Sequence, residues 1–237
     1  MELEVLLRRI NARHETVTSE VALHGITLQF LQIKDMAAFI EEMVDQAPEG
    51  RVHLPYWAKI WEASVVLADY LLGLPEFAPG SEPKRIVELG AGMGVPSLFL
   101  AAVGHDVVLT DFEPEALEFA RAAALINKLD GRLQVRRLDW AHPDLNEPFD
   151  AVVGSELLYN HDDLPHLVRL LSRLRKRGAL AYLAKGPAVP AYSFVADLQR
   201  SFEFTEVRRV LRSAEGAMRI SILILGRERT VQQERLR

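Results

Sequence analysis

The feature that most constrains the fold is the stretch RIVELGAGMGVPSLF, which runs from residue 85 to residue 99. A short apolar run is followed by alternating glycines at Gly90, Gly92 and Gly94, and then by a second apolar run with helical spacing. Glycines between a strand and a helix let the backbone approach a nucleoside-like ligand, because no Cβ stands in the way. The stretch therefore predicts a strand, a ligand-binding loop and a helix in one unit.

The pattern of this stretch continues through the rest of the chain, where short β-branched runs alternate with longer amphipathic runs. This alternation predicts a parallel sheet covered by helices. We expect five parallel strands at residues 85–89, 106–110, 133–138, 150–154 and 179–184, and a C-terminal antiparallel hairpin at 206–211 and 219–225. We expect helices at residues 36–44, 60–72, 96–103, 114–127, 164–177 and 190–201. The predicted fold class is α/β, with a Rossmann-like seven-stranded sheet that is similar to the methyltransferase variant of the doubly wound fold.

Three regions are expected along the chain. Residues 1–55 form an N-terminal extension of short strands and a helix, residues 56–226 form the main domain, and residues 227–237 form a polar tail. Pro- and Gly-rich residues 74–83 connect the extension and first helix to the sheet.

Composition limits the function classes. The 237 residues contain no cysteine, which excludes disulfides, thiolate nucleophiles and Cys-ligated metal centres and is typical of a reducing cytoplasm. The formal net charge of -5 gives no reason to expect nucleic acid as a partner. No apolar run approaches the length of a membrane span, and the acidic N-terminal residues do not resemble a signal peptide. We therefore expect a cytoplasmic protein, acting as a monomer, without membrane partners.

The glycine loop indicates which ligand is bound. A dinucleotide fingerprint is G-x-G-x-x-G, whereas this chain has Glu88-x-Gly90-x-Gly92-x-Gly94, with Val95 in the third dinucleotide position. A carboxylate at Glu88 would repel a pyrophosphate but would favour the ammonium and sulfonium charges of S-adenosylmethionine. The loop therefore predicts S-adenosyl-L-methionine as the cofactor rather than NAD.

Two further acidic positions support a nucleoside site. Asp111 ends the second strand about twenty residues after the glycines, where an acid can hold ribose hydroxyls. Asp139 follows the third strand and can accept the adenine amine, with Trp140 lying against the purine. The alternatives are that Asp111 caps the helix beginning near Pro114 and that Trp140 is a core residue.

Three segments resemble the seven-β-strand protein-lysine methyltransferases called family 16: LPYWAKIWEASVVLADYL, RIVELGAGMGVPSLFLA and FDAVVGSELLYN. The resemblance runs from about residue 56 to residue 183. It implies that Trp61 flanks the cofactor and that a D-x-x-Y motif, here Glu156-Leu-Leu-Tyr159, lies at the acceptor mouth. The residues expected to bind the cofactor are Trp61, Glu88, Gly90, Gly92, Gly94, Asp111, Phe112, Asp139, Trp140 and Ser155.

Glu156 and Tyr159 are the candidate catalytic residues, and a lysine side chain of a partner protein is the expected acceptor. A carboxylate favours the ammonium form of lysine, so Glu156 is expected to capture and orient the amine while its proton leaves to water. Tyr159 would wall the aliphatic stem or accept a hydrogen bond. Alternatively, Glu156 begins a helix and Tyr159 is a core aromatic residue.

Rival functions are less consistent with the sequence. The residues His161, Asp162 and Asp163 suggest a metal site, but consecutive side chains point in different directions, so we expect no metal. The basic run RLLSRLRKRG fits a solvated helix, so we expect no nucleic acid. Two alternatives to protein-lysine methylation stay open: methyl transfer to a small molecule or another nitrogen acceptor, and a non-catalytic module that keeps the cofactor fold.

Overall fold

The structure is a computed structural model that describes residues 2–46, 54–157, 161–187, 192–213 and 216–229. Its centre is a seven-stranded sheet, and a separate two-stranded sheet precedes it in the chain. The strands of the large sheet are β3 (Arg85–Glu88), β4 (Asp106–Asp111), β5 (Leu133–Arg137), β6 (Phe149–Ser155), β7 (Arg175–Lys185), β8 (Phe202–Ser213) and β9 (Gly216–Glu228).

The large sheet has the spatial order β5-β4-β3-β6-β7-β9-β8. The strands β5, β4, β3, β6 and β7 are parallel to one another. Strand β9 is antiparallel to both β7 and β8. The predicted α/β fold, with five parallel strands and a C-terminal antiparallel hairpin, is confirmed. The hairpin enters the sheet through its second strand, β9, which lies between β7 and β8.

Helices cover both faces of this sheet. One face packs against α3 (Glu62–Leu72), α4 (Val95–Ala102) and α5 (Pro114–Ile126), and the other packs against α6 (Leu164–Arg173) and α7 (Tyr192–Ser201). Their apolar stripes are completely buried at residues such as Leu67, Phe99 and Leu171. Burying such stripes on both faces is what makes a parallel sheet stable.

The N-terminal region consists of α1 (Glu2–Asn11), the antiparallel pair β1 (Thr16–Leu23) and β2 (Ile26–Ile33), and α2 (Met36–Gln46). Helix α1 was not predicted from the sequence pattern. Leu6 and Ile10 of α1 are buried, and Phe119 and Ala122 of α5 share the same cluster. Helix α1 is too short to be stable alone, so its formation depends on this packing, which local sequence does not reveal.

The C-terminal end of α6 corrects a predicted boundary. The helix was expected to continue to residue 177, but it ends at Arg173, and Arg175 already belongs to β7. The guanidinium of Arg175 donates to the carbonyl oxygens of Leu171, Leu225 and Gly226 at 2.8, 3.0 and 2.7 Å. These hydrogen bonds fasten the start of β7 to the antiparallel edge of the sheet and outweigh the helical pattern.

The last described strand and the expected C-terminal tail overlap by a few residues. Strand β9 continues to Glu228, beyond the expected domain end at residue 226, while residues 230–237 of the expected tail lie outside the described residues. Among the described residues, no helix is long and apolar enough to cross a membrane. Within the same ranges, no group of three or more His, Asp or Glu side chains could hold a metal ion.

Candidate functional site

The glycine loop lies at the carboxyl end of β3, where the chain turns into α4. Gly90, Gly92 and Gly94 all have positive φ, at 55°, 52° and 70°. A Cβ on Gly90 would lie 2.7 Å from Leu157 Cδ2 and 3.5 Å from Trp140 Cζ2. The loop therefore needs glycine for its backbone conformation and for space.

Glu88 lies inside the protein, below the glycine loop. Its side chain is completely buried beneath the loop, and its Oε2 accepts a hydrogen bond from the Ser97 N–H, in the first turn of α4, at 2.9 Å. Its Oε1 and the Ser97 hydroxyl have no hydrogen-bond partner among the residues that the structure describes. Burial raises the pKa of Glu88 to about 8, against the opposing effect of the Ser97 hydrogen bond.

The carboxyl group is buried and faces the first turn of α4, so its contact with a cationic cofactor stays a prediction. Glu88 supports the loop from below, because its main-chain carbonyl also accepts a hydrogen bond from Thr110 Oγ1 at 2.6 Å.

Asp111 joins the end of β4 to the glycine loop. Its Oδ2 accepts a hydrogen bond from the Gly92 N–H at 2.7 Å, and its Oδ1 accepts one from the Glu113 N–H at 2.9 Å. The side chain is buried, which raises its pKa, while both backbone hydrogen bonds oppose that shift. Asp111 therefore fixes the loop, and each oxygen keeps a lone pair with which to accept a further donor.

Phe112 follows Asp111 and is half exposed. The guanidinium of Arg137 lies 4.8 Å from the centre of its ring, and Arg137 Nε donates to the Phe112 carbonyl oxygen at 3.1 Å. This contact holds an apolar ring at the edge of the site, next to the acid that anchors the loop.

Asp139 and Trp140 follow β5. Asp139 accepts a hydrogen bond from the Ala141 N–H at 2.8 Å and contacts His142 Nδ1 at 3.2 Å, and the Ala141 hydrogen bond lowers its pKa. The carboxylate is thus engaged within its own turn, and its contact with adenine stays a prediction. Trp140 borders Gly90, so the structure brings its indole to the glycine loop.

The segment before α3 crosses the glycine loop, but through a residue that was not expected. A Cβ on Gly92 would lie 3.2 Å from the carbonyl oxygen of Trp57. The Trp57 ring lies 5.3 Å from Phe119 and 6.5 Å from Phe39, so it connects the loop to α5 and α2. The sequence offered a signal, since two tryptophans stand close together in PYWAKIW.

Trp61, the residue that was expected at the cofactor, immediately precedes α3. Its Nε1 donates to the Tyr56 carbonyl oxygen at 2.6 Å, and Lys59 Nζ lies 4.8 Å from its ring centre. Among the described residues these contacts orient the indole, and its approach to a cofactor stays a prediction.

Glu156 lies directly after β6 and has an unusual backbone conformation. Its φ is 53°, although it is not a glycine, and such strain in a non-glycine residue is concentrated at functional sites. Its N–H donates to the Ala184 carbonyl oxygen at 2.9 Å, and its Oε1 accepts from the Gly186 N–H at 2.8 Å. The ends of β6 and β7 are therefore fastened together through this one residue.

Glu156 has both acidic and basic side chains near it. Burial raises its pKa, and the nearby Glu62 acts in the same direction, whereas the Gly186 hydrogen bond and the charges of Lys185 and Lys59 lower it. Glu156 is half-buried, so its carboxylate is partly shielded from water while it remains accessible.

Two predicted site residues remain. Ser155 is the last residue of β6, is half-buried and pairs with Ala184 of β7. Tyr159 lies outside the described residues. The next residue after Glu156, Leu157, was not predicted for the site, yet its side chain would collide with a Cβ at either Gly90 or Gly154. It therefore fills the space between the glycine loop and the end of β6.

Comparison with known proteins adds independent findings. A family described as lysine methyltransferase matches residues 56–187. The chain is 34% identical over 134 residues to Protein N-lysine methyltransferase METTL21A of Danio rerio, covering 54% of this chain and 59% of the relative. It is 29% identical over 123 residues to Histone-arginine methyltransferase METTL23 of Mus musculus, covering 49% of this chain and 47% of the relative.

Solved structures agree with the fold. The Thermus thermophilus 16S rRNA methyltransferase RsmC, in complex with AdoMet and guanosine, superposes with a TM-score of 0.57 at 17% identity. That alignment covers 90% of this chain and 50% of that one. The chain spans about half the length of the curated relatives that it matches.

Proposed function

Because the chain belongs to the lysine methyltransferase family, we propose that it transfers a methyl group from S-adenosylmethionine to a lysine side chain of a partner protein. The observation that carries this proposal is the strained, half-buried Glu156. It follows the strand next to the one that ends in the glycine loop. A carboxylate in that position faces the part of the sheet where ligands bind in open α/β folds.

The residues around the loop suit the cofactor. Gly90 and Gly92 let the loop pass close to Leu157 and Trp57, the buried Asp111 has acceptor capacity for hydroxyl groups, and the half-exposed Phe112 offers an apolar wall. S-adenosylmethionine would supply a methyl group bonded to a positively charged sulfur. An amine lone pair attacks the methyl carbon, and the sulfur leaves as the thioether of S-adenosylhomocysteine. Glu88 contributes to this site through the loop that it supports.

The acceptor amine must lose its proton before it attacks the methyl group. A free lysine has a pKa of about 10.4, so at pH 7 only about one in 2,500 is neutral, which corresponds to about 4.6 kcal/mol. Glu156 attracts and orients the ammonium through the oxygen that does not bind Gly186. The positive charges of Lys59 and Lys185 weaken that attraction, so the proton can leave to water before the transfer.

Two finer points complete the proposal. The net charge of -5 supports a protein acceptor rather than nucleic acid, and we propose that the chain acts as a monomer. A second acceptor is arginine, since one relative is named as a histone-arginine methyltransferase. The Glu156 carboxylate suits either cation.

The test is methyl transfer to protein from the chain's own cell type. The purified protein is incubated with S-adenosylmethionine labelled in the methyl group and with a lysate, and the labelled proteins are hydrolysed to amino acids. We expect labelled methyl-lysine. Label recovered only as methyl-arginine would replace the proposed acceptor by the second one, and label confined to small molecules would refute a protein acceptor altogether.

A further inference from the structure

A cavity lies beside Trp140, on the side of the sheet that α6 covers. Its volume is about 200 Å³. The residues that line it are Trp140, Ala141, Pro143, His166, Arg169, Leu170 and Arg173. The cavity thus combines an indole with two guanidinium groups and an imidazole, and its lining contains no carboxylate.

The cations of this cavity are available to a ligand. Arg169 and Arg173 are exposed and one helical turn apart, so both reach the same side of α6. Arg169 Nη2 donates to His166 Nδ1 at 2.8 Å, which requires an unprotonated nitrogen on that ring and orients the guanidinium. Neither arginine forms an ion pair with any residue that the structure describes.

Eight of the 17 other arginines that the structure describes have an acidic partner. Ion pairs within 4.0 Å are formed by Arg9, Arg13, Arg85, Arg121, Arg132, Arg136, Arg200 and Arg208. Arg169 and Arg173 are not among these eight, and the fold brings the two together in the lining of one cavity.

The size and surroundings of the cavity define the ligand. Pockets for drug-sized ligands measure about 300–1,000 Å³, so this cavity suits a single side chain better than a nucleotide. The carboxylates of Asp139 and Asp144 lie in the loop that borders it, with 42% and 70% of their side chains exposed. They would repel the continuous phosphate backbone of a nucleic acid but leave room for one or two carboxylates of a peptide.

We infer that this cavity is a docking site for an acidic side chain of the partner protein, with Arg169 and Arg173 as its anion-binding groups. Guanidinium groups bind carboxylates through paired hydrogen bonds, and the apolar face of Trp140 suits the methylene groups of a glutamate. The inference rests on the proposed function, because it assigns this surface to the protein that carries the methyl acceptor. Trp140 also borders Gly90, so docking would take place close to the cofactor loop.

The test measures binding of an acidic peptide to the full chain. A fluorescein-labelled peptide of glycine and serine that carries two adjacent glutamates and blocked termini is titrated with the protein, and binding is followed by anisotropy. The test variant is the double substitution Arg169→Gln with Arg173→Gln. The matched control is Arg212→Gln with Arg219→Gln, which removes the same charge from two exposed arginines that form no ion pair with described residues. Thermal unfolding verifies that both variants remain folded.

We expect the peptide to bind the wild-type chain and the control variant with the same dissociation constant, within twofold. The cavity variant should bind at least about tenfold more weakly, which corresponds to losing charge-assisted hydrogen bonds. Three results would overturn the inference: no binding to the wild type, equal weakening by both variants, or tighter binding of a labelled twelve-nucleotide oligouridylate that depends on the same two arginines. The assay does not depend on methyl transfer. If the chain methylates lysine but does not bind the peptide, the docking inference is refuted and the proposed function is not.

Discussion

Replacing Asp111 tests whether one carboxylate both stabilises the fold and shapes the cofactor site. In the wild-type chain the Asp111 carboxylate accepts hydrogen bonds from the backbone N–H groups of Gly92 and Glu113 at 2.7 and 2.9 Å. Asp111→Ala removes both acceptors. The matched control is Asp106→Ala, at the first residue of the same strand. Asp106 is exposed and its ion pair with Arg132 is solvent-accessible, so its loss tests only a surface interaction.

The expected magnitudes follow from burial. Each buried donor left without a partner costs about 1–3 kcal/mol, and water that enters the vacated space recovers part of it. We therefore expect Asp111→Ala to lower the free energy of unfolding by about 2–4 kcal/mol in the absence of cofactor. Asp106→Ala should lower it by less than about 1 kcal/mol, because exposed ion pairs contribute little.

Two measurements separate the structural from the binding role. Denaturant unfolding gives the change in stability, and calorimetric titration with S-adenosylmethionine gives the dissociation constant. We expect Asp111→Ala to raise the dissociation constant at least about tenfold, since a displaced Gly92 and a missing hydroxyl acceptor both weaken binding. If the variant keeps wild-type stability and wild-type affinity, the loop does not depend on Asp111, and both the structural and the binding arguments fail.

Three further predictions concern neighbouring residues. Glu88 has a pKa of about 8 in the folded chain against 4.5 for an ordinary glutamate, so its contribution to the free energy of unfolding decreases as pH rises through this interval, by up to about 1.4 kcal/mol per unit. Glu88→Gln should remove this decrease of the free energy of unfolding with pH, and an unchanged pH dependence in the variant would contradict the raised pKa of Glu88. Gly94→Ala should cost about 2–4 kcal/mol in denaturant unfolding, because φ is 70° and the new Cβ collides with Leu109 Cδ1; a loss below 1 kcal/mol would show that the loop relaxes. Glu156→Gln keeps an acceptor for the Gly186 N–H, so cofactor affinity should stay within twofold while turnover falls about 100-fold; weakened cofactor binding would make Glu156 structural.

Much of the sheet could be predicted from the sequence, because its strands and helices carry local patterns that burial on both faces imposes. The glycine positions were predictable for the same reason: a backbone with positive φ that passes close to side chains such as Leu157 admits only glycine. Helix α1 was not predictable, because its few buried residues acquire their meaning only against Phe119 of α5.

The site shows the same division residue by residue. The sequence identified Asp111 as an acid at a strand end, but its hydrogen bond to the Gly92 N–H depends on two segments meeting in space. The sequence identified Glu88 as an acid beside the glycines, and we expected its carboxylate to be charged. No local pattern reveals that this side chain is completely buried.

The amino-acid sequence by itself determined the order of strands and helices, the glycine loop and the set of polar residues at the strand ends, because each of these follows from local geometry and hydrophobic period. Only the tertiary structure decided which of those polar residues carry charge and which support the backbone. Burial and hydrogen-bond partners set the ionisation of a carboxyl group, and both come from parts of the chain that are distant in sequence. The cavity around Arg169 and Arg173 arises in the same way, from a helix and a loop that meet only in the folded chain.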